Sequence, residues 1–487
     1  MKHAPVDNPN LPITRQPLLI AISLTALALT AAAGYALAAP NSALALIWDF
    51  TGSDTGDTLG YAVAAAGDVN GDGFADVLIG APKDTRAVSR EGVAYLFSGG
   101  PGGLSAGWAA GSSEKGANFG SAVSSAGDVN GDGYADVIVG APDYKNDKTQ
   151  AGAAFVYFGS AAGLSATPNW AYVSPQGAAH LGISVSSAGD VNNDGYADVI
   201  IGASDFLSDT TLLGAALLFL GSETGPAGTP HQILLGEQAN ARFGFAVSSA
   251  GDVNGDGFVD VIIGAPQFDH AAEDTGAAFL FFGSGCGLVQ PAGWWVAGSQ
   301  PGARLGASVA AGDVNGDGYT DVIVGAPQNT VNQSQEGSVL VFYGSAAGPA
   351  ATPGWQADSG QSLSGFGGAV SAGDVNQDGF DDVLVGASRY TNDQNEEGAV
   401  FFYFGSAAGL SPTPGWRAEG NKSETEFGFA VAAAGDINRD GYADVLIGAP
   451  QYRIETDIRG RAYAYLGAAS AASQPDYSVF LPLLLKN

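Results

Sequence analysis

One nine-residue stretch, Asp68-Val69-Asn70-Gly71-Asp72-Gly73-Phe74-Ala75-Asp76, decides how this chain folds, because its pattern occurs seven times. The first copy is followed at once by the apolar run 77–82. The later copies begin at Asp128, Asp190, Asp252, Asp313, Asp374 and Asp436, so the pattern recurs every 60 to 62 residues. A period this regular is typical of a repeat architecture.

Each copy reads D-x-N-x-D-G-x-x-D, which places side-chain oxygens at positions one, three, five and nine. The glycine at position six allows a sharp turn, and the main-chain carbonyl at position seven, Phe74 in the first copy, adds another oxygen. Calcium takes about six to eight oxygen ligands, so we predict up to seven Ca²⁺ ions per chain. The predicted ligands are Asp68, Asn70, Asp72, Asp76, Asp128, Asn130, Asp132, Asp136, Asp190, Asn192, Asp194, Asp198, Asp252, Asn254, Asp256, Asp260, Asp313, Asn315, Asp317, Asp321, Asp374, Asn376, Asp378, Asp382, Asp436, Asn438, Asp440 and Asp444.

This loop differs from an EF-hand and also has an interpretation without metal. An EF-hand closes with Glu at position twelve and continues into a helix, whereas here Asp closes at nine and a β-branched run follows. The loop is therefore expected between two strands. The alternative is a hairpin turn, because such turns need Asn and Gly at positive φ. A turn alone does not require Asp at one, five and nine in all seven copies, so the pattern favours calcium.

The second copy shows the unit that surrounds the loop. Small residues at 119–127 predict a first strand, and the loop leads to a second strand at 136–140. A polar loop at 142–150, a third strand at 153–158 and a fourth strand around Trp170 complete the unit. Four strands in about 61 residues make one propeller blade. We therefore predict an all-β fold, a seven-bladed β-propeller with the calcium loop between strands 1 and 2 of each blade.

The two ends of the repeat array predict how the ring closes. The last copy reaches a third strand at 462–466 and has no tryptophan strand after it. The segment 44–48, which ends in Trp48, precedes the first copy. We predict that this segment supplies the outermost strand of the seventh blade, which removes the exposed sheet edge that a gap would leave.

The N-terminal segment does not belong to the repeat. Lys2 and Arg15 precede an apolar stretch at 18–39, and Ala36-Leu37-Ala38 offers small residues for cleavage. These features predict a secretory signal peptide at 1–38. A retained membrane anchor is the alternative, because the apolar stretch is nearly long enough to span a bilayer.

The propeller is predicted at 43–468 and is followed by a tail with a short apolar segment at 469–487. The tail contains a Pro and is too short to span a bilayer. It is interpreted either as a sorting or attachment signal or as a strap across the propeller. With the signal peptide cleaved, the mature chain is expected to have no membrane-spanning domain.

The composition of the chain limits its expected cellular location and its classes of binding partner. The single cysteine, Cys286, cannot form an internal disulfide, which favours a bacterial envelope or extracellular setting over a large secreted animal protein. The formal net charge is −31, and the three repeated aspartates of the seven loops supply 21 of the 49 acidic residues. Seven bound Ca²⁺ would leave about −17, so nucleic acid and anionic membranes are poor candidate partners.

The signatures Phe119-Gly120 and Gly140-Ala141-Pro142, on either side of the loop, resemble the FG-GAP repeat of integrin alpha-subunit head propellers and their bacterial relatives. The resemblance covers about 425 of the 487 residues and recurs in all seven copies. It implies a seven-bladed propeller with Ca²⁺ on one face and ligand recognition mostly on the opposite face. Integrin heads usually carry these loops in only some blades, so seven intact loops suggest calcium dependence around the whole ring.

The loops after each G-A-P vary most between copies. Eight of the eighteen Lys and Arg residues lie there, in blades six, seven, one and two, namely Lys83, Arg86, Arg90, Lys145, Lys148, Arg389, Arg453 and Arg459. Five of the loops also open with an aromatic residue, namely Tyr144, Phe206, Phe268, Tyr390 and Tyr452. Such groups could stack on sugars or anchor a protein partner. The alternative is that the rings pack over the blade edge and the charges only keep the loops soluble.

No catalytic constellation is visible in the sequence. The histidines, His3, His180, His231 and His270, share no metal-ligand spacing, and no G-x-S-x-G or phosphate-binding glycine loop occurs. We therefore predict a secreted or surface-attached calcium-binding propeller that is not an enzyme and acts as an adhesion or ligand-binding module for an extracellular protein or glycan. The alternative is a carbohydrate-binding or carbohydrate-active propeller, resembling a lectin or a polysaccharide lyase.

Overall fold

The computed structural model describes residues 44–86, 88–146 and 149–468, and these residues form strands, turns and loops but no helix. Accordingly, the described part of the chain holds no helix that could cross a membrane. The signal peptide predicted at 1–38 and the tail predicted at 469–487 lie outside the described residues.

Seven four-stranded antiparallel sheets account for most of the described strands, and each sheet is one blade. The chain enters through β1 (Ala45–Thr51). Blade 1 contains β2 (Ala62–Gly67), β3 (Asp76–Ala81), β4 (Val93–Ser98) and β5 (Ser105–Gly111). Blade 2 contains β6 (Ala122–Gly127), β7 (Asp136–Ala141), β10 (Ala153–Tyr157) and β11 (Trp170–Val173), with the small hairpin β8 (Lys145–Asn146) and β9 (Thr149–Gln150) between β7 and β10.

Blades 3 to 5 repeat this order. Blade 3 contains β12 (Leu181–Gly189), β13 (Asp198–Ala203), β16 (Ala215–Phe219) and β17 (Gln232–Leu235), with the hairpin β14 (Leu207–Ser208) and β15 (Thr211–Leu212). Blade 4 contains β18 (Ala246–Gly251), β19 (Asp260–Ala265), β20 (Ala277–Phe281) and β21 (Trp294–Ala297). Blade 5 contains β22 (Ser308–Gly312), β23 (Asp321–Ala326), β24 (Ser338–Phe342) and β25 (Trp355–Asp358).

Blades 6 and 7 complete the ring. Blade 6 contains β26 (Phe366–Gly373), β27 (Asp382–Ala387), β28 (Ala399–Tyr403) and β29 (Trp416–Glu419). Blade 7 contains β30 (Ala430–Gly435), β31 (Asp444–Ala449) and β34 (Arg461–Leu466), with the hairpin β32 (Arg453–Ile454) and β33 (Asp457–Ile458). Its fourth strand is β1, so the sheet order is β1-β34-β31-β30.

The N-terminal strand closes the ring, as the sequence predicted. β1 pairs antiparallel with β34 from Ala45 opposite Leu466 to Thr51 opposite Arg461. The rings of Trp48 and Phe50, both on β1, lie 4.7 and 4.9 Å from the ring of Phe97 in blade 1. β1 therefore joins blade 7 to blade 1 as well as completing blade 7.

The hydrophobic core lies between the blades. Seven clusters of buried apolar residues each combine side chains of two adjacent blades, and one of them joins blade 7 to blade 1. The second strand of every blade is buried along its whole length, for example β3 and β7. This burial on both faces confirms the interpretation of the unbroken apolar runs, because each blade is covered by a neighbour on either side.

The glycines of the two signatures are explained by the contact between neighbouring blades. A Cβ atom on Gly80 would lie 2.0 Å from the carbonyl oxygen of Gly120 in the next blade, and a Cβ on Gly448 would lie 1.9 Å from that of Gly60 across the closure. Gly120 has a φ of 85°, and its N–H bonds the carbonyl of Gly140 at 2.9 Å. The ladder of this blade therefore starts at Ala122, three residues later than the sequence predicted.

Candidate metal loops and the hub cavity

Each D-x-N-x-D-G-x-x-D segment forms a nine-residue loop between the first two strands of its blade, and these are called loop 1 (68–76) to loop 7 (436–444). In loop 1, Asp68 accepts hydrogen bonds from three consecutive backbone N–H groups, 71–73, at 2.7 to 3.1 Å. Asn70 accepts the N–H of Asp72 at 2.8 Å, and Asp72 accepts that of Phe74 at 3.0 Å. Positions one, three and five therefore shape the backbone of the loop.

The ninth residue of each loop is buried and ties the loop to its blade. Asp76 is fully buried and accepts the N–H of Val69 at 3.0 Å and that of Gly99, just after the third strand, at 3.0 Å. The same two bonds recur at Asp136, Asp198, Asp260, Asp321, Asp382 and Asp444. This structural role was missed in the sequence analysis, because Gly99 lies 23 residues further along the chain.

Burial raises the pKa of these ninth-position carboxyl groups. Desolvation is the largest cause, and it raises the pKa of Asp76 to about 6 and that of Asp136 to about 7 from the ordinary value of 3.8. The two backbone N–H donors lower the pKa, and the carboxylates at positions five and one raise it again. A divalent cation beside these carboxyl groups would favour their charged form and lower the pKa again.

The donor set of each loop fits a hard divalent cation. It offers three carboxylates, one amide oxygen and one main-chain carbonyl, which are the ligand types that Ca²⁺ prefers. A carboxylate oxygen that accepts one N–H keeps further acceptor capacity, so the hydrogen bonds do not exhaust the donors. The structure brings the four predicted residues of each copy together in one loop and keeps the seven sets apart in seven blades.

Within the described residues, backbone hydrogen bonds join neighbouring loops at five of the seven junctions. The carbonyl of Asp68 in loop 1 accepts the N–H of Ala135 in loop 2 at 3.1 Å. The same bond closes the ring, since the carbonyl of Asp436 in loop 7 accepts the N–H of Ala75 in loop 1 at 3.0 Å. Each of these hydrogen bonds therefore joins two neighbouring blades.

A separate acidic cluster was not found from the sequence. Carboxylate oxygens of Asp54, Asp57 and Asp84 lie within 4.8 Å of one another, which is closer than the three carboxylates of any described nine-residue loop approach one another. Asp57 and Asp84 are buried, and the hydroxyl of Tyr95 donates to Asp84. Burial raises the pKa of Asp57 to about 6, although the nearby Arg459 acts to lower it. The one sequence signal was that Asp57 stands where four other copies have Ala.

The aromatic residues of the variable loops pack onto their own blades. The ring of Tyr144 lies 5.5 Å from Phe155, and that of Tyr390 lies 5.3 Å from Phe401, in each case on the third strand. Phe206 is buried. These contacts favour the interpretation that the rings cover the blade edge over the one in which they stack on a ligand.

Three of the basic residues in the variable loops are engaged locally, namely Arg86, Arg453 and Arg459. Arg459 pairs with Asp457 at 3.8 Å. The Nη1 of Arg86 donates to the carbonyl of Ala109 at 2.7 Å. Arg453 forms an ion pair with Glu424 at 3.1 Å. A continuous basic arc for a partner stays a prediction, and these contacts reduce the number of cations that are available to it.

A cavity of about 570 Å³ lies at the hub, at the ends of the inner strands away from the nine-residue loops. Its wall comes from residues next to the F-G and G-A-P signatures of six blades. Tyr61 and Phe429 face it, with ring centroids 4.9 Å apart. The charged side chains Asp143, His180 and Arg242 also line it. The variable face of the propeller therefore has a recessed site with both aromatic and charged walls.

His180 links blades 2 and 3 at the wall of this cavity. Its Nδ1 is hydrogen-bonded to Asp205, and its Nε2 lies 3.6 Å from a carboxylate oxygen of Asp143. The bond to Asp205 raises the pKa of His180 and lowers that of Asp205. The sequence analysis found no metal-ligand spacing for His180 and did not predict this pairing, because its partners lie 25 and 37 residues away in other loops.

This pairing predicts a specific effect of pH. A raised His pKa stabilises the fold below the unfolded value of about 6.5 and loses that effect as pH rises through the folded pKa, whereas a lowered Asp pKa stabilises above about 3.9. The pair should therefore contribute most between about pH 4 and pH 6.5. We expect Asp205→Asn to move the NMR-measured pKa of His180 back towards its ordinary value. Asp143→Asn, which removes the more distant carboxylate, should move it less; the reverse order would contradict the assignment.

Comparisons with known proteins agree with this architecture. The FG-GAP repeat family matches residues 59–97, 119–157, 181–217, 243–281, 305–342, 366–403 and 427–466. Among curated proteins, the chain is 32% identical to integrin alpha-V of Gallus gallus over 46% of this chain and 21% of the relative. It is 34% identical to integrin alpha-PS3 of Drosophila melanogaster over 45% of this chain and 20% of the relative. The matched part thus spans about a fifth of the length of these relatives.

Proposed function

The chain belongs to the FG-GAP repeat family, and we propose that it is an extracellular or surface-attached, calcium-binding β-propeller that binds a protein ligand. The single observation that carries this proposal is the sevenfold repetition of the family's blade, with every nine-residue loop intact and a recessed cavity at the other end of the inner strands. The role is one of binding and not of catalysis. The similarity to integrin alpha chains favours a protein partner over a glycan.

The proposed calcium ligands are the twenty-eight residues at positions one, three, five and nine of loops 1 to 7. Three findings support this assignment: the all-oxygen donor set, the burial of the ninth aspartate and the mutual repulsion of the three carboxylates. A bound Ca²⁺ would supply positive charge and no redox chemistry. The expectation of a secretory signal at 1–38 accords with an extracellular location, and a bacterial source stays a prediction.

The hub cavity is the part of the variable face that we propose contacts the ligand. Arg242 lines the cavity, and among the described residues no side chain forms an ion pair with it. Arginine and aromatic residues dominate the energetic centres of protein interfaces, and Tyr61 and Phe429 line the same cavity. A partner could therefore bury an aromatic and a polar contact in one recess.

The experiment measures saturable binding of the purified chain to a panel of extracellular matrix proteins in the presence of Ca²⁺. Arg242→Gln should weaken binding about tenfold or more if this arginine is an anchor. Arg304→Gln is the matched control, because Arg304 stands at the same repeat position one blade later, with φ of 56° against 55°, and does not line the cavity. Equal losses in both variants would contradict the assignment of the cavity. Saturable binding to polysaccharides with release of shortened products would contradict the proposed function.

A further inference from the structure

The junction between loop 7 and loop 1 differs from the other loop junctions. Position four of each loop faces the next loop around the ring, and it has positive φ in all seven copies. Four loops have glycine there, and the aromatic residue at position seven of the next loop packs directly over it; at Gly71 the nearest ring atom of Tyr134 would be 2.8 Å from a Cβ. Loops 3 and 6 have Asn193 and Gln377. Loop 7 has Arg439, the one charged residue at this position.

Arg439 reaches across the junction and rests on loop 1. Its Nε donates to the carbonyl of Gly73 at 2.5 Å, and its guanidinium lies 4.7 Å from the ring centroid of Phe74. A Cβ atom added to Gly73 would lie 1.2 Å from the Nη2 of Arg439. Gly73 stands between two of the proposed calcium ligands, the Asp72 carboxylate and the Phe74 carbonyl.

No other loop is covered in this way. In loops 2 to 6, the glycine at position six has no neighbouring atom within 4 Å of the place that a Cβ atom would take, and these glycines are Gly133, Gly195, Gly257, Gly318 and Gly379. In loop 7, the amide oxygen of Gln377 lies 3.5 Å from the place that a Cβ atom on Gly441 would take. A fixed positive charge therefore lies against loop 1, and a neutral amide occupies the corresponding place at loop 7.

We propose that Arg439 makes loop 1 the weakest of the seven calcium sites and takes over from the ion in holding blades 7 and 1 together when calcium is scarce. This inference rests on the proposed calcium binding. It concerns the junction where the two ends of the propeller meet, since β1 also closes the ring there. The first calcium ion to dissociate would then leave loop 1, and Arg439 would keep blades 7 and 1 in contact after its loss.

Two opposite consequences follow from the one side chain. The guanidinium repels a divalent cation bound in loop 1. At a separation of about 6 to 8 Å in water, this repulsion lowers the calcium affinity of loop 1 by about fivefold to tenfold at low salt. When calcium is absent, the same guanidinium stabilises the junction of loops 7 and 1 through its hydrogen bond to Gly73 and its contact with the ring of Phe74. Arg439 is solvent-exposed, so the repulsion should weaken as ionic strength rises.

The test compares the full chain with Arg439→Gln, which places at loop 7 the residue that loop 6 already has at the same φ. Calcium titrations followed by calorimetry and native mass spectrometry should show six tighter sites and one weaker site in the parent chain. In the variant, the weaker site should gain about fivefold to tenfold at low salt and less at high salt. In EDTA, the variant should melt about 1 to 2 °C below the parent.

The matched gain-of-charge variant is Gln377→Arg, which introduces the guanidinium at the junction of loops 6 and 7. It should weaken one further site, at loop 7. Unchanged calcium affinities in both variants, with calcium still bound to all seven loops, would overturn this inference and leave the proposed function standing. If no variant bound calcium at all, the proposed calcium binding and this inference would fall together.

Discussion

Transfer of the protein from EDTA to about 10 mM Ca²⁺ is expected to raise its Tm by about 10 to 20 °C. Extracellular calcium modules bind with Kd of about 10⁻⁴ to 10⁻³ M, so each occupied loop would add about 1.4 to 2.7 kcal/mol to the free energy of unfolding. Seven loops would then add about 10 to 19 kcal/mol. With an unfolding entropy of roughly 0.9 kcal/mol/K for a propeller of this length, the shift follows directly.

The measurement is thermal unfolding across a calcium series, with bound metal counted by mass spectrometry. Mg²⁺ is the control ion, because it is smaller and requires near-octahedral geometry, and it should shift the Tm much less. A sharper control is Asp132→Ala, which removes position five of loop 2. In the structure, Asp132 contacts only its own loop and is exposed, so the variant should lose about a seventh of the calcium-induced shift and keep the EDTA Tm within about 1 °C.

Asp136→Ala would be a poor test of calcium binding, and the reason shows where sequence reasoning reaches its limit. Position nine was assigned to the metal, but Asp136 is buried and also accepts the N–H groups of Val129 and Gly159. Its removal would destabilise the protein with or without calcium. The two roles cannot be separated in the sequence, since both require a short carboxylate at the same place.

The periodic features of the fold were predictable because each is local. Loop spacing gave the number of blades, the unbroken apolar runs gave the buried second strands, and the missing fourth strand after 462–466 gave the closure by β1. The glycines of F-G and G-A-P were recognised as a signature, but their cause was not. Glycine is required at position 80 because the carbonyl oxygen of Gly120 in the next blade lies 2.0 Å from the place that a Cβ atom would take. The two residues are 40 positions apart in the chain, so the sequence did not reveal this contact.

The residues that line the hub cavity could not be predicted from the repeat, because they differ from copy to copy. His180 stands where other copies have Thr58, Asn118 or Arg242, so periodicity did not identify it. Its pairing with Asp143 and Asp205 requires side chains from blades 2 and 3 to meet at the axis. The aromatic residues of the variable loops were prominent in the sequence and yet pack inward, because the third strand of their blade offers an apolar surface to cover. In a repeat protein, the fold follows from the residues that the copies share, and candidate ligand contacts lie at the positions where the copies differ.

Removal of β1 is expected to have the second large effect. A chain that begins at Gly52 should melt about 5 to 10 °C below one that begins at Ser42, and it should self-associate. The shorter chain loses the ladder with β34 and the packing of Trp48 and Phe50 against Phe97. Both rings are half-buried, so each should contribute less than the roughly 3 to 5 kcal/mol that truncation of an aromatic residue costs in a core. It also leaves the N–H and C=O groups of β34 unpaired, which makes an edge available to other chains.

The chain that begins at Ser42 isolates this effect, because both proteins lack the segment before the propeller and differ only by β1 and three residues before it. Light scattering would report the association, and calorimetry in calcium would report the Tm. Phe50→Ala in the full chain separates the two contributions, since it removes packing against blade 1 while keeping the β1–β34 ladder; it should lower the Tm by about 2 to 4 °C and leave the association state of the full chain unchanged. If the chain from Gly52 did not self-associate and had an unchanged Tm, blade 7 would be stable with three strands. Calcium and the core between the blades would then close the ring without β1.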